Sequence, residues 1–378
     1  MNINTIQTTP AVAIANLARQ IKSAGEVVFE LQTGDPDFET PAAVSYAAKR
    51  AIDRGETHYS YSSGLPELRL AIAASLNLEF GQDFSLDNIL VTHGAAQGIA
   101  ATLSAILELG DEVIVLEPNW TTVDSLVTVN GGVVIKVKHM LSDDDLFVEL
   151  NKVKSKKTKL ICINSPNNPT GAVFSHNRIK ALVDWAAESD IYVVSDEVYR
   201  NFTYDVNHAS VLSLGSFYDR LIFVDSFSKK FAMTGWRVGF VVASQSTISN
   251  IAKASQVLIT NVAPFVQYGA LEAMSNQSVA KFADQMRDDF RDRRLKLLEV
   301  CKTLGLEVMP VEGAFYLFIK INQDDNKFSR ALVDQRRVCV VPGSAFGNSG
   351  RKHIRVSFTS PFDTVEQGLY EIARFAKR

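Results

Sequence analysis

Thiols are scarce in this chain: Cys162, Cys301 and Cys339 are the only cysteines among 378 residues. They lie far apart with no CxxC spacing, which argues against a disulfide framework and a zinc cluster. Cys162 sits in the apolar run Leu160-Ile161-Cys162-Ile163 and reads as a small buried hydrophobe. Long apolar runs are missing as well: no stretch of 18 apolar residues occurs, so no membrane span is expected. The start, MNINTIQTTP, has no basic segment followed by an apolar one, so no secretory leader is expected. Charge of one sign is also lacking. Lys plus Arg (39) nearly balances Asp plus Glu (42), and a net charge of −3 gives no general attraction for nucleic acid or anionic lipid. These absences point to a cytoplasmic protein that binds neither. Hydrophobic residues at 46% and charged residues at 21% are globular values, which excludes disorder as the main state.

What is present is an alternation. Pro41–Arg54 and Pro66–Phe80 have helical spacing, each with proline at a first-turn position where its missing N–H costs nothing. Short apolar runs follow at Ile89–Val91, Val113–Leu116, Val133–Val137, Leu160–Ile163, Ile191–Val194, Leu221–Val224 and Val238–Val242. Rich in Val and Ile and with little alternation, they suit strands covered on both faces. Helical stretches such as His176–Ser189 lie between them, so the expected fold is α/β: a mostly parallel seven-stranded sheet between helices. The last hundred residues differ. A charged helix over Ser278–Leu304 precedes strands at Ala314–Ile321, Val338–Val341 and His353–Phe358, and a helix over Thr364–Lys377 closes the chain. The expected division is a large domain over 41–274, a smaller α+β domain over 275–378, and an N-terminal segment, 1–40, packed on the latter.

In doubly wound sheets ligands gather beyond the carboxyl ends of strands. After Ile89–Val91 comes Thr92-His93-Gly94-Ala95-Ala96, opening a helix with small residues that let an anion approach its N–H groups. Neither GxxxxGK[ST] nor GxGxxG occurs, so nucleotide motifs are not met. After Leu160–Ile163 comes the rigid turn Ser165-Pro166-Asn167-Asn168-Pro169-Thr170-Gly171, able to hold one amide in place. After Ile191–Val194 come Asp196 and Tyr199; an acid there is costly to bury without a cationic partner. After Leu221–Val224 comes Ser226-Phe227-Ser228-Lys229-Lys230, then Met233-Thr234-Gly235-Trp236-Arg237. Burial lowers a lysine pKa and makes the amine a usable nucleophile, with Lys230 read as its surface neighbour. Amine, acid, phenol, amide, arginine and anion nest together are what pyridoxal phosphate requires of a site.

With these motifs the chain resembles the class I/II aminotransferases, fold-type I pyridoxal-phosphate enzymes of the aspartate aminotransferase superfamily, from Pro10 to the last helix. The resemblance implies that Lys229 forms an aldimine with pyridoxal 5'-phosphate, that Ser226 and Arg237 bind the phosphate with the turn Gly94-Ala95-Ala96, and that Asp196 pairs with the ring nitrogen. Tyr199 and Asn168 would contact the ring oxygen and Trp120 would stack on the ring. Gly34, in Leu31-Gln32-Thr33-Gly34-Asp35-Pro36, and Arg355, in Ile354-Arg355-Val356-Ser357, resemble the residues that meet the substrate carboxylate, with Asn168 assisting. Tyr59 resembles a tyrosine that reaches the neighbouring subunit's phosphate, which implies a homodimer with shared active sites. The implied reaction is a ping-pong transfer of the α-amino group of an amino acid to a 2-oxo acid, with Lys229 as general base and acid. Ser255–Asn261 lacks the Ser/Thr-rich run of aspartate-preferring relatives, so the resemblance names no donor side chain.

The same cofactor set serves β-lyases, oxidases and cyclising enzymes, which release ammonia or need no second keto acid. Ser226-x-x-Lys229 formally matches the S-x-x-K of serine acyl-transfer enzymes, but no Ser-Asp-Asn or Lys-Thr-Gly companion occurs. A non-catalytic ligand-binding protein on this fold is the third alternative. The six histidines, His93 included, show no metal spacing, so no metal is expected. Ser142-Asp143-Asp144-Asp145 reads as a helix start, Trp236 as packing, and Arg287, Arg291 and Arg294 as a solvated helix face.

Overall fold

A computed structural model describes residues 10–214 and 219–377. The residues behind the reading of a leader-free start, 1–9, lie outside the described residues, as does Arg378. Each apolar run forms a strand of one sheet: β1 (Ile89–Thr92), β2 (Glu112–Glu117), β3 (Val133–Lys138), β4 (Thr158–Asn164), β5 (Tyr192–Asp196), β6 (Leu221–Ser226) and β7 (Gly239–Val242). The order is β1-β7-β6-β5-β4-β2-β3. β2 to β6 pair in parallel, whereas β7 runs antiparallel to both its neighbours. Six strands therefore end at one edge of the sheet, and β7 begins there. Periodicity reads burial, not direction, which is why β7 looks like its neighbours in the sequence.

The sheet is apolar on both faces, as strands covered by helices must be. One face packs under Leu68, Ile72, Ile179 and Leu182, the other under Ile99, Leu103, Val127 and Ile251. The helices Ala42–Asp53 and Pro66–Phe80 stand close to their expected bounds. The Ser142 hydroxyl caps the helix Asp143–Val153 by accepting the Asp145 N–H, as the acidic start suggests.

After the 28-residue helix Gln277–Leu304 comes a second sheet of β8 (Tyr316–Lys320), β9 (Val341–Pro342) and β10 (His353–Ser357), in the order β9-β10-β8 and antiparallel throughout. Its core gathers Phe290, Phe315, Leu317, Val356, Leu369 and Ile372. The expected strand Val338–Val341 is split. Val338–Cys339 pairs in parallel with Phe29–Glu30, and only Val341 continues into the three-stranded sheet. A second correction concerns Arg294, which is 4% exposed and not on a solvated face. Its guanidinium donates to the Val311 carbonyl (2.7 Å), pairs with Asp205 and lies over the Tyr204 ring, so this part of the helix is covered. Arg287 and Arg291 pair with acids of their own helix and remain half-exposed. Among the described residues no helix is long and apolar enough to cross a membrane.

Candidate active site

The shared strand edge opens into a cavity of about 470 Å³. It brings together Gly34, Ala95, Ala96, Trp120, Asn168, Asp196, Tyr199, Ser226, Lys229, Arg237 and Arg355. Gly94 lies directly beneath Arg237. Tyr59 stands apart, 89% exposed and outside the cavity of its own chain.

Lys229 is placed by a one-turn helix, Phe227–Lys230, that starts where β6 ends. Ser226 caps it: its Oγ accepts the Ser228 N–H (3.0 Å) and donates to the Val238 carbonyl (3.2 Å). The helical turn, not extended backbone, separates the two lysines. Lys229 turns into the cavity, while Lys230 is half-buried beneath it with Arg200, Asp225 and Phe240 and is not a free surface residue. Lys229 Nζ donates to the Gly34 carbonyl at 2.7 Å. Burial, with Arg355 and Arg237 adding repulsion and Asp35 and Asp196 opposing, lowers its pKa to about 8.

Asp196 closes β5 and is 9% exposed. Burial drives its carboxyl up to about 7, against the pull of the Val198 N–H, while the nearby Asp225 and Glu197 charges push the same way as burial. A cation placed beside it would reverse this shift. Tyr199 Oη lies 2.8 Å from Tyr316 Oη, and burial holds its phenol well above the usual range. Gly34 packs against the Tyr316 ring: a Cβ there would fall 2.0 Å from Tyr316 Oη, so a larger residue would have to displace that buried phenol.

Arg355, on β10, is buried beneath the rings of Tyr316 (4.4 Å to the centroid) and Phe346 (5.0 Å). It donates through Nη1 to Asn168 Oδ1 (2.9 Å) and through Nη2 to the Gln32 carbonyl, and its Nε has no partner. Burial lowers its pKa. Asn168 is fixed by its own N–H to Asn164 Oδ1 (2.9 Å), and with its oxygen occupied by Arg355 its Nδ2 remains as a donor.

Arg237 is built differently. It is exposed, its backbone is left-handed (φ 54°), and its guanidinium donates to the Thr234 carbonyl at 2.8 Å. No carboxylate pairs with it among the described residues. A Cβ on Gly94 (φ 73°) would fall 2.8 Å from its Nη2, so the glycine is what lets the guanidinium lie against the start of the helix Gly94–Ile106. That helix start carries no side-chain cap. Uncapped N–H groups beside an unpaired arginine make an anion cradle.

Sequence reasoning missed Tyr316, Asn164, Gln32 and Phe346, all of which line the cavity. Asn164, at a strand end before the Pro-rich turn, carried a positional signal; the aromatics read as core. The first helix, Pro10–Ser23, also contributes Val12, Ala15 and Arg19 to the wall. Among the described residues no group of three or more His, Cys, Asp or Glu is placed to hold a metal ion.

The family model for aminotransferase class I and II matches residues 26–372, and the chain belongs to that family. An aspartate aminotransferase of Pyrococcus horikoshii is 36% identical over 92% of this chain and 90% of its own. An aspartate/prephenate aminotransferase of Thermus thermophilus is 34% identical over 100% of this chain and 98% of its own. The solved aspartate aminotransferase of Thermotoga maritima superposes with a TM-score of 0.93 at 33% identity, covering 100% of this chain and 99% of that one. The fold is thus fold-type I, and the chain is a pyridoxal-phosphate-dependent aminotransferase that moves an amino group between an amino acid and a 2-oxo acid. The cavity fits the cofactor: it offers an amine, a buried acid that favours a cationic neighbour, and the anion cradle.

Proposed function

We propose that this cavity is the transamination site and that Lys229 is its catalytic amine. The observation that carries the reading is an amine with a pKa near 8 facing the same cavity as a buried carboxylate and an unpaired arginine. Pyridoxal phosphate, when bound, supplies a carbonyl that takes up an amine and a ring that accepts the electron pair of a breaking Cα–H bond. Ser226, Arg237 and the N–H groups at Gly94–Ala96 bind its phosphate. Asp196 holds the charge of its ring nitrogen, Tyr199 and the Asn168 amide donate to its ring oxygen, and Trp120 covers the ring. Arg355 binds the substrate α-carboxylate, pre-aimed by Asn168 and Gln32, so that the Cα proton faces Lys229 Nζ. Lys229 Nζ would then take that proton as base and hold it for return as acid.

A cytoplasmic homodimer is part of the proposal; the exposure of Tyr59 supports a role toward a second copy. Two bodies, 41–274 and 275–378 with segment 1–40 on the latter, are part of the proposal; the pairing of Phe29–Glu30 with Val338–Cys339 supports it, while Tyr199, Phe202 and Tyr204 of the first body share the buried cluster of the second. Relatives named for aspartate and prephenate make a dicarboxylic donor the first to test, and Arg19 in the cavity wall is a cation available to a second carboxylate. A screen of the common amino acids against 2-oxoglutarate and pyruvate identifies the donor. The test of the site is borohydride trapping of the loaded enzyme, which should label Lys229 alone, and Lys229→Ala should lose about 10²–10⁴-fold in kcat. A label on another residue, or near-normal turnover in that variant, would overturn the proposal.

A further inference from the structure

We propose that the buried Arg200–Asp225 pair is a positioning device for the reaction, tying the turn that carries Lys229 to the segment that carries Asp196 and Tyr199. The inference rests on the roles given above to those three residues. Asp225 is the last residue but one of β6. Its Oδ2 accepts from Arg200 Nε at 2.7 Å, and its Oδ1 accepts the Ser226 N–H at 2.6 Å. Ser226 in turn caps the one-turn helix of Lys229. On the other side, Arg200 directly follows Tyr199, and its Nη1 reaches Glu79 at 2.5 Å.

Both members of the pair are at least nine-tenths buried in their side chains. Neither lines the cavity that holds Lys229, so neither touches substrate there. Beyond the ladder that pairs Val193–Asp196 of β5 with Leu221–Val224 of β6, the main chain adds a bond from the Glu197 N–H to the Val224 carbonyl at 2.9 Å. The pair strongly resists separation, because the buried Asp225 carboxylate would be left without its guanidinium partner. The ladder sets the register of β5 and β6, and the pair braces the residues just past its end, and with them the distance between amine, acid and phenol. An error of about 1 Å in such a set costs on the order of 10²-fold in rate.

The test uses the full-length enzyme loaded with pyridoxal phosphate and the donor found in the screen. In Asp225→Asn, kcat should fall by about 10²-fold while the donor KM changes by less than about threefold. The visible circular dichroism of the bound cofactor should lose amplitude while the far-ultraviolet spectrum keeps its wild-type form. Arg200→Lys, which keeps the charge without the fork, should recover part of both. Glu79→Gln, which breaks only the outer contact of Arg200, should stay within about twofold. Wild-type kcat and visible signal in folded Asp225→Asn overturn the proposal, and so does an equal loss in Glu79→Gln. Should Asp225→Asn not fold, Arg200→Lys decides on the same readouts: reduced kcat and signal support the tie, and wild-type values overturn it. Borohydride labelling of the wild type reports on Lys229 separately, so the tie can fail while the site stands.

Discussion

Arg237 and Arg355 face one cavity, yet their surroundings share almost nothing. Arg237 is exposed, sits on left-handed backbone against a glycine, and holds a single carbonyl. Arg355 is buried under two rings and held by an amide and a main-chain carbonyl, with Nε left over. On the assignment proposed above, the difference teaches how one cleft can serve two anions of different tenure. A phosphate that stays can organise an exposed arginine with the help of a helix start. A carboxylate that arrives and leaves each half-reaction must find its fork already aimed, because the cost of ordering would recur in every cycle.

The comparison can be broken most forcefully at Arg355. Arg355→Lys keeps the charge but loses the forked donors, and kcat/KM for the donor should fall about 10²–10³-fold, mainly through KM, with cofactor affinity little changed. Loss of cofactor as the main effect would show that the two arginines are not divided as proposed. Arg237→Ala should do the reverse: cofactor affinity, read by titrating the cofactor-free protein, should drop about 10–100-fold, while the donor KM of the saturated enzyme moves little.

The smallest effect sharpens the comparison at the acid that shares their cavity, Asp196. Burial raises Asp196 to about 7, so the native cofactor-free chain keeps a proton there that the unfolded chain loses near pH 4. Native protein thus binds more protons across that window, and stability falls as pH rises through it. Asp196→Asn removes the penalty. Its cofactor-free thermal midpoint should exceed the wild type's by a few degrees at pH 8 and approach it near pH 4. An equal difference at both pH values would count against the burial argument.

All seven strands of the large sheet were legible in the sequence, because each is an apolar run bounded by turn residues. The residues that follow them were legible for the same reason: position after a strand predicts the ligand edge, and Lys229, Asp196, Asn168 and Arg237 all gather there. What stayed hidden depends on contacts between distant segments. Tyr316 reads as one more aromatic in an apolar strand, and only the fold sets its hydroxyl 2.8 Å from Tyr199 and against Gly34. The burial of Arg294 follows from Val311 and Asp205, far from it in the chain. Asp225 and Arg200 look like ordinary surface charges until β5 and β6 lie side by side. Helix spacing and strand length are local quantities, whereas a cover or a counter-ion is not.

Gly34 presents its carbonyl to Lys229 and leaves no room for a methyl group below Tyr316. That makes residue 34 a fixed point for anyone redesigning the enzyme. Space for bulkier donors would have to come from other lining residues, such as Val12 or Ala15 of the first helix.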